Sequence, residues 1–261
     1  MKQIVSGLLA VALSLMATYA VAQTPSDGEK EIRVATYNIR SGLGMDDLRD
    51  LNRTAAVINR IAPHIIALQE VDSVTGRSNH LDVVAELGRM TQMHGYYSAA
   101  IDFDGGKYGV GILTKEEPIR VKRLPLPGSE EARTLLIVEL QDYVFASTHL
   151  SLRPEDRLAS VEIIKQEAAK IGKPFIVAGD LNARPQSEVM QQMSEDFVLL
   201  NDTTAFTFPA SQPRSCIDYL AYYKQEKAAF RVVRSWVEEE PLVSDHRPVV
   251  VDLQWIATKE E

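Results

Sequence analysis

Five groups of polar residues stand at the end or the start of apolar, strand-like runs. Asn38 follows the first run and Glu70 follows the second. The other groups are His149, the pair Asp180 and Asn182, and the pair Asp245 and His246. Strands of this kind lie in a protein interior, where an ionised side chain is costly unless it is paired or bound to a metal. One shared buried site accounts for all five groups together.

The side chains in these groups are carboxylates, amides and imidazoles, and no cysteine is among them. Hard oxygen ligands suit Mg²⁺ better than they suit zinc. An imidazole that titrates near neutral pH can also accept or donate a proton during a reaction. The combination predicts the hydrolysis of a phosphate ester.

Each residue also has a structural interpretation when it is taken alone. Asn38 can simply end a strand, and Glu70 can pair with an arginine instead of a metal. A single histidine in a strand can be a core residue that is satisfied by backbone groups. Asp180 and Asn182 are two residues apart in an extended segment, so their side chains share a face and can reach one phosphate.

Asp218 lies in a further apolar run, where a buried carboxylate can orient a histidine. The consecutive residues Ser244, Asp245 and His246 are not a serine-protease triad, because neighbours in the chain cannot adopt the required convergent geometry. These residues therefore remain candidates for a metal or phosphate site.

The first residues of the chain have the pattern of a secretory signal. Lys2 precedes an apolar stretch, and Ala20, Val21 and Ala22 supply a small-residue cleavage site. We expect a signal peptide at residues 1–22 and an exported protein, periplasmic or extracellular. The apolar stretch is too short for a secure membrane span, so no stable span is expected in the mature chain.

We expect residues 23–30 to form a flexible leader and residues 31–261 to form a single domain, since no linker or repeat interrupts them. Cys216 is the only cysteine, which excludes an intramolecular disulfide. The formal net charge of −8 disfavours a nonspecific nucleic-acid binder, although it does not exclude a small phosphate ester. We expect a monomer.

Hydrophobic periodicity predicts more strands than helices, and the helices fall into two separate batches. The strands are predicted at 32–39, 64–69, 96–101, 108–114, three runs within 118–150, 174–179, 216–223, 229–236 and 248–255. The helices are predicted from Asp46 and Asp47 to residue 61, after a cap at Asn79, at 154–171 and at 186–193. This order favours two β-sheets that pack face to face with helices outside.

Six ordered segments together resemble the endonuclease/exonuclease/phosphatase superfamily, whose members have the DNase-I-like fold. The segments are Ala35-Thr36-Tyr37-Asn38, Gln69-Glu70, Thr148-His149-Leu150, Gly179-Asp180-Leu181-Asn182, Ile217-Asp218-Tyr219 and Ser244-Asp245-His246-Arg247-Pro248-Val249. The resemblance implies an α/β fold, namely a four-layer α/β/β/α sandwich of two mixed β-sheets flanked by helices.

The resemblance also implies two groups of site residues. One group binds Mg²⁺, with Mn²⁺ as the alternative, and consists of Asn38, Glu70 and Asp245. The other group acts on water or on the phosphate and consists of His149, Asp180, Asn182, Asp218 and His246.

Within the second group, the resemblance implies that Asp180 orients or activates the attacking water and that Asn182 contacts the phosphate. His246, paired with Asp218, corresponds to a general base or a phosphate-stabilising group. His149 corresponds to a group that binds the phosphate or assists the leaving oxygen.

Two further residues are candidates for substrate binding. Tyr108 begins a segment that resembles a glycine-containing strand beside the family's cleft, and Arg133 can present a guanidinium to a phosphate. Arg77, Arg184 and Arg214 are weaker candidates of the same kind.

The sequence therefore predicts an exported, Mg²⁺-dependent phosphodiesterase or phosphatase that uses a directly activated water. The acidic balance favours a small or lipid-linked phosphoester over duplex DNA. A secreted endo- or exonuclease is the alternative, and a noncatalytic phosphate-binding protein is a minor one. The shared phosphate chemistry does not name the alcohol of the substrate.

Overall fold

A computed structural model describes residues 30–224 and 229–256. The predicted signal peptide at 1–22 lies outside the described residues, as does the predicted leader at 23–30 except for Lys30. Among the described residues, no helix has both the length and the apolar character needed to cross a membrane.

Two mixed six-stranded sheets form the centre of the fold. The strands are β1 (Glu31–Asn38), β2 (Ile65–Ser73), β3 (His94–Phe103), β4 (Gly106–Thr114), β5 (Arg120–Leu126), β6 (Arg133–Glu139), β7 (Val144–His149), β8 (Phe175–Asp180), β9 (Phe197–Leu199), β10 (Asp218–Tyr223), β11 (Phe230–Val237) and β12 (Val249–Trp255). The first sheet has the order β11-β12-β1-β2-β4-β3, and the second has the order β5-β6-β7-β8-β10-β9.

In the part of the chain that the structure describes, four α-helices cover the outer faces of the sheets. They are α1 (Leu51–Ile61), α2 (Val83–Thr91), α3 (Pro154–Ala169) and α4 (Glu188–Asp196). Apolar side chains of α1 and α2 pack on the first sheet, and those of α3 and α4 pack on the second. The α/β/β/α sandwich expected from the sequence is confirmed.

The inner faces of the two sheets share one apolar core. Val34 and Ala67 of the first sheet belong to the same buried cluster as Phe145 and Ile176 of the second. Each sheet has a parallel pair at its centre, β1 with β2 and β7 with β8. Because these strands are covered on both faces, their sequences are continuous apolar runs and do not alternate.

Two predicted helix starts are wrong. Helix α1 begins after Asp50, whose side chain accepts a hydrogen bond from the backbone N–H of Asn52. Asp46 lies in the loop before the helix and accepts a hydrogen bond from the side chain of Arg53. Helix α2 begins after Asp82, which caps it by accepting from the N–H of Ala85. In both places several capping residues precede the helix, and only the tertiary contacts select among them.

The backbone at Glu70 also differs from the expectation that β2 ends there. Strand β2 continues to Ser73, and a bulge between Leu68 and Val71 interrupts its pairing with β4. Glu70 lies in this bulge with φ of 56°, a left-handed conformation that costs free energy for a residue with a Cβ. From this bulge the Glu70 side chain reaches Asn38 at the end of the neighbouring strand β1.

Candidate active site

The strand pairing explains why residues far apart in sequence meet. Parallel neighbours end at the same edge of a sheet, and antiparallel neighbours begin where their partners end. Asn38 ends β1, His149 ends β7 and Asp180 ends β8. Asp218 begins β10 and pairs in register with Asp180. The two sheets pack face to face, so these ends open into one cleft.

Asp180 is the centre of the cluster and is only 2% exposed. Its Oδ1 accepts a hydrogen bond of 2.9 Å from the backbone N–H of Asn182. Its Oδ2 lies 3.5 Å from Nε2 of His149 and 3.6 Å from Nε2 of His246. Burial, and then the charge of Asp218, raise the pKa of the Asp180 carboxyl.

Asn38 connects the carboxylates of the two sheets. Its Nδ2 donates to Oε1 of Glu70 at 3.0 Å and to Oδ2 of Asp180 at 3.2 Å. Its Oδ1 accepts from the backbone N–H of Arg40 at 3.1 Å. The amide therefore holds the two acidic groups side by side.

His246 is fixed by Asp218. The imidazole Nδ1 lies 2.9 Å from Oδ2 of Asp218, which leaves Nε2 facing Asp180. Burial alone lowers the pKa of His246, but the charges of Asp218 and Asp180 outweigh it and raise the pKa to about 10. The ring of Phe208 packs on the imidazole with 4.8 Å between the centroids.

The pKa of His149 shifts in the opposite direction to that of His246. Burial lowers its pKa to about 4, and the attraction of Asp180 offsets only part of that effect. His149 is therefore neutral at pH 7, whereas His246 carries a positive charge. Two histidines on opposite sides of one carboxylate thus differ in charge because only one of them has its own buried partner, Asp218.

Contrary to the prediction from the sequence, Asp180 and Asn182 do not share the face of one strand. Strand β8 ends at Asp180, and Asn182 follows it with φ of 49°, so the shared face of an extended segment does not apply. Asn182 Nδ2 donates to the backbone carbonyl of Leu150 at 2.9 Å. The second N–H of that amide has no hydrogen-bond partner among the described residues.

Asp245 lies at the rim of the cluster. One of its oxygens is 3.8 Å from Nε of Arg40. The neighbouring Ser244 is buried and donates to the backbone carbonyl of Asn38 at 2.7 Å, which anchors this loop to the end of β1. The sequence motif contained Ser244, but only the structure shows what its hydroxyl binds.

Tyr108 and Arg133 lie on the His149 side, around a small cavity of about 10 Å³. Arg133 is buried, which differs from the usual surface position of an arginine that begins a strand. Its guanidinium contacts Glu131 at 3.1 Å and Glu130 at 3.3 Å, while its Nε is buried with no hydrogen-bond partner among the described residues. That free donor makes Arg133 a better candidate than the sequence indicated.

Tyr108 is held from behind by an ion pair. Arg77 donates to both oxygens of the buried Asp72 at 2.7 Å and lies over the rings of Phe103 and Tyr108, 4.3 and 5.5 Å from their centroids. Arg77 is therefore committed to a buried carboxylate and supports the Tyr108 ring.

The comparison with protein families decides the classification. The sequence profile described as "Endonuclease/Exonuclease/phosphatase family" matches residues 35–246, a span that contains every candidate residue above. The chain belongs to this family. It is accordingly a phosphoesterase of the endonuclease/exonuclease/phosphatase superfamily.

Solved structures of the family have the same fold. An endonuclease/exonuclease/phosphatase from Beutenbergia cavernae DSM 12333 is 26% identical, with a TM-score of 0.74 over 86% of this chain and 72% of that chain. A mannosyl-6-phosphatase from Bacteroides thetaiotaomicron VPI-5482 is 17% identical, with a TM-score of 0.66 over 85% of this chain and 99% of that one. The human Nocturnin catalytic domain with bound sulfate is 20% identical, with a TM-score of 0.65 and coverages of 87% and 95%. A comparison with curated proteins finds no significant match.

The residues present fit the divalent cation that this family generally uses. Glu70 accepts from Asn38 but has no lysine or arginine within ion-pair distance among the described residues, so the alternative of an arginine partner is excluded there. Burial raises the pKa of its carboxyl, which means that its negative charge lacks compensation. A bound cation would supply that compensation.

A second set of atoms near Asp180 also has ligand geometry. Donor atoms of Asp180, Asp218 and His246 lie within 4.8 Å of one another. Hydrogen bonding to His246 engages Asp218, however, so Glu70 with Asn38 and Asp245 stays the predicted metal group and Asp180 stays the predicted water-orienting residue. Hard oxygen donors of this type match Mg²⁺ or Mn²⁺.

The loop before Arg133 makes the stability of the protein depend on pH. Glu130 accepts from the N–H of Leu152 at 2.7 Å and from the hydroxyl of Ser151 at 2.8 Å. Burial opposes ionisation, but these bonds and Arg133 lower the pKa of Glu130 to about 2. Because the pKa in the folded state is depressed, the stabilisation exists above the ordinary pKa of about 4.5 and is lost as the pH falls toward 2.

We expect Glu130→Gln to lower the melting temperature at pH 7 by about 2–4 °C, the shift that corresponds to ~1 kcal/mol in a chain of this size. The difference from the wild-type protein should shrink between pH 4.5 and pH 2.5 in thermal unfolding followed by circular dichroism. Glu117→Gln, at an exposed position, is the control. An unfolding difference that does not depend on pH would contradict the assigned bonds.

Proposed function

We propose that the chain is an exported, Mg²⁺-dependent hydrolase of a small or lipid-linked phosphate ester, with Mn²⁺ as the alternative metal. The observation that carries the proposal is the buried cluster in which Asn38 links Glu70 to Asp180 and both histidines face Asp180. Uncompensated carboxylates beside imidazoles suit a cation, a phosphate and a water molecule better than they suit a structural role.

The proposed roles follow from the contacts. Asp180 lies where its free lone pairs can orient the attacking water and accept its proton. His246, held by Asp218, directs Nε2 into the cleft, where it can contact a phosphate oxygen. Asn182 offers its remaining N–H to the same group. A divalent cation, when bound by Glu70 and its neighbours, neutralises phosphate charge and polarises the phosphorus.

The opposite wall of the cleft suits the phosphate or the leaving oxygen. His149 and Arg133 line the small cavity there, together with Tyr108. The unpartnered Nε of Arg133 and the Nε2 of the neutral His149 are donors or acceptors within the same space. In this arrangement the attacking group is a water oriented by Asp180, and no covalent intermediate forms on the enzyme.

Metal removal tests the proposal directly. We expect hydrolysis of bis(4-nitrophenyl) phosphate or 4-nitrophenyl phosphate to fall by at least about 100-fold in excess chelator, because a metal supplies several kcal/mol of charge stabilisation. Added Mg²⁺ should restore the rate, and Mn²⁺ should serve as the comparison metal. A rate unaffected by the chelator would contradict the proposal.

A substrate panel separates the remaining functions. DNA, RNA, sphingomyelin, inositol phosphates and simple mono- and diesters should be compared under the same metal conditions. A preference for DNA with a steep salt dependence would indicate the nuclease alternative. Phosphate binding without turnover of any ester would indicate the noncatalytic alternative.

Export and the monomeric state stay predictions. The pattern of residues 1–22 supports export, and the N-terminal sequence of the protein recovered from the periplasm or medium tests it, with Gln23 expected as the first residue. Recovery of the intact chain from the cytoplasm alone would contradict export. Light scattering of the purified protein tests the monomer.

A further inference from the structure

A second cavity of about 360 Å³ lies next to the cluster. Arg184, two residues after Asn182, forms one wall, and Arg214 together with Phe206 forms another. The remaining lining residues are small, polar or apolar: Pro185, Gln186, Thr203, Thr204, Ser215 and Cys216. The volume lies within the range of small-molecule sites.

The walls of this cavity are tied to the site residues. The hydroxyl of Tyr219 bonds to the carbonyls of Ala183 at 2.7 Å and Cys216 at 2.8 Å, which pins the Arg184 segment to the strand that carries Asp218. On the other wall, Phe208 pairs with Ser215 in an isolated bridge and packs on His246. Both sides of the cavity are therefore tied to segments that carry site residues.

Arg184 and Arg214, the two arginines of the cavity, are both exposed. Within residues 30–224 and 229–256, neither guanidinium makes a hydrogen bond or an ion pair, and no carboxylate lines the cavity. Two unpaired positive charges beside a phosphate site attract an anion.

Two other cavities show the contrast. The cavity of about 160 Å³ at Arg120 and Lys122 also contains Glu139 and Glu167, which pair with these cations. In the cavity of about 270 Å³ beside α1, Arg77 is bound to Asp72. Arg120, Lys122 and Arg77 in those cavities are each paired with a carboxylate, so their charges are not free to select an anion.

We propose that the cavity between Arg184 and Arg214 binds the alcohol part of the substrate and that this part carries a second anionic group. The inference rests on the proposed function and narrows its substrate to a small ester with two negative groups. Phe206, which is 45% exposed, gives the alcohol an apolar face to lie on. A sugar bisphosphate and a nucleoside bisphosphate share this chemistry.

Inhibition of chromogenic ester hydrolysis tests the second anion. Glucose 1,6-bisphosphate should inhibit the wild-type protein at about tenfold lower concentration than glucose 6-phosphate. Adenosine 3′,5′-bisphosphate should likewise inhibit at a lower concentration than adenosine 5′-monophosphate. The pair of compounds with the larger ratio of inhibitory concentrations, monophosphate over bisphosphate, shows whether the alcohol part of the substrate is a sugar or a nucleoside.

Single substitutions assign the effect to the cavity. Arg184→Gln and Arg214→Gln should each raise the inhibition constant of the favoured bisphosphate by about tenfold, because charged hydrogen bonds of ~1.4 kcal/mol are lost. The constant for the monophosphate should change less than about twofold, because only the contacts to the second anion are lost. Arg120→Gln, an arginine of the acid-containing cavity, is the matched control.

Equal inhibition by mono- and bisphosphates would overturn the inference. So would substitutions that raise the inhibition constants of the monophosphate and the bisphosphate equally. Neither result would contradict the proposed function. Absence of ester hydrolysis under every metal condition would instead overturn the proposed function. Calorimetric binding of the bisphosphate to Asp180→Asn protein, with and without Arg184→Gln, tests the cavity independently of turnover. Binding that does not respond to the second substitution would exclude the arginine.

Discussion

Replacement of Asp180 with asparagine should lower kcat for phosphate-ester hydrolysis by at least about 10³-fold, the loss expected when a proton acceptor and a charged contact are removed together. Oδ2 of Asp180 is the oxygen that faces both His149 and His246, so no neighbouring carboxylate can replace it. Steady-state kinetics at saturating Mg²⁺ measures the effect. A kcat within tenfold of the wild-type value would exclude the central role of Asp180.

The same substitution should not destabilise the protein strongly. Asparagine keeps Oδ1 as the acceptor for the N–H of Asn182 and removes a buried charge, which offsets the loss of Oδ2 as the acceptor for Asn38. Burial raises the pKa of Asp180 above its unfolded value, so ionisation in the metal-free protein costs stability as the pH rises through that window. We therefore expect an unchanged or higher melting temperature at pH 7 without metal. Asp102→Asn, at an exposed carboxylate, is the control for both measurements.

Replacement of Glu70 with glutamine should abolish most of the response to Mg²⁺. Glutamine has nearly the same size and can still accept from Asn38, but it brings no charge to compensate a cation. Loss of an anionic ligand should weaken metal affinity by at least about 100-fold, beyond the 10- to 100-fold typical of residues that only support a ligand. Catalysis at limiting Mg²⁺ should fall in parallel.

Thermal unfolding separates this metal effect from a general loss of activity. A ligand that binds only the folded protein raises its stability in proportion to the logarithm of its concentration over its Kd. The wild-type melting temperature should therefore rise with Mg²⁺, and that of the Glu70→Gln protein should not. Glu162→Gln on the surface of α3 is the matched control. An undiminished Mg²⁺-induced shift would show that the cation binds elsewhere, with the group of Asp180, Asp218 and His246 as the next candidate.

Much of the fold could be predicted from local patterns. The apolar runs that end at Asn38, His149 and Asp180 are all strands, and each of these residues is the last of its strand. The two batches of helices cover the outer faces of two sheets, as predicted. These features depend on periodicity and on burial of both strand faces, which are properties of short segments.

The helix starts and the Glu70 bulge could not be predicted in the same way. Asp46 and Asp50 both have the side chain of a helix cap, and the choice depends on the bond between Asp46 and Arg53. The bulge at Glu70 appears in the pairing of β2 with β4, where one strand has an extra residue. The sequence of one strand does not specify which residues of the partner strand lie opposite it.

The sequence by itself determined which chemical groups this protein has and where along its strands they stand, because strand-ending polar residues are visible in a local pattern. The tertiary structure decided how they act. It placed Asn38 between Glu70 and Asp180 and gave His246 a buried carboxylate of its own, Asp218, beside the Asp180 that it shares with His149. Among the described residues, it left Arg184 and Arg214 without acidic partners. Charge state and pairing depend on burial and on neighbours distant in sequence, and only folding brings those neighbours together.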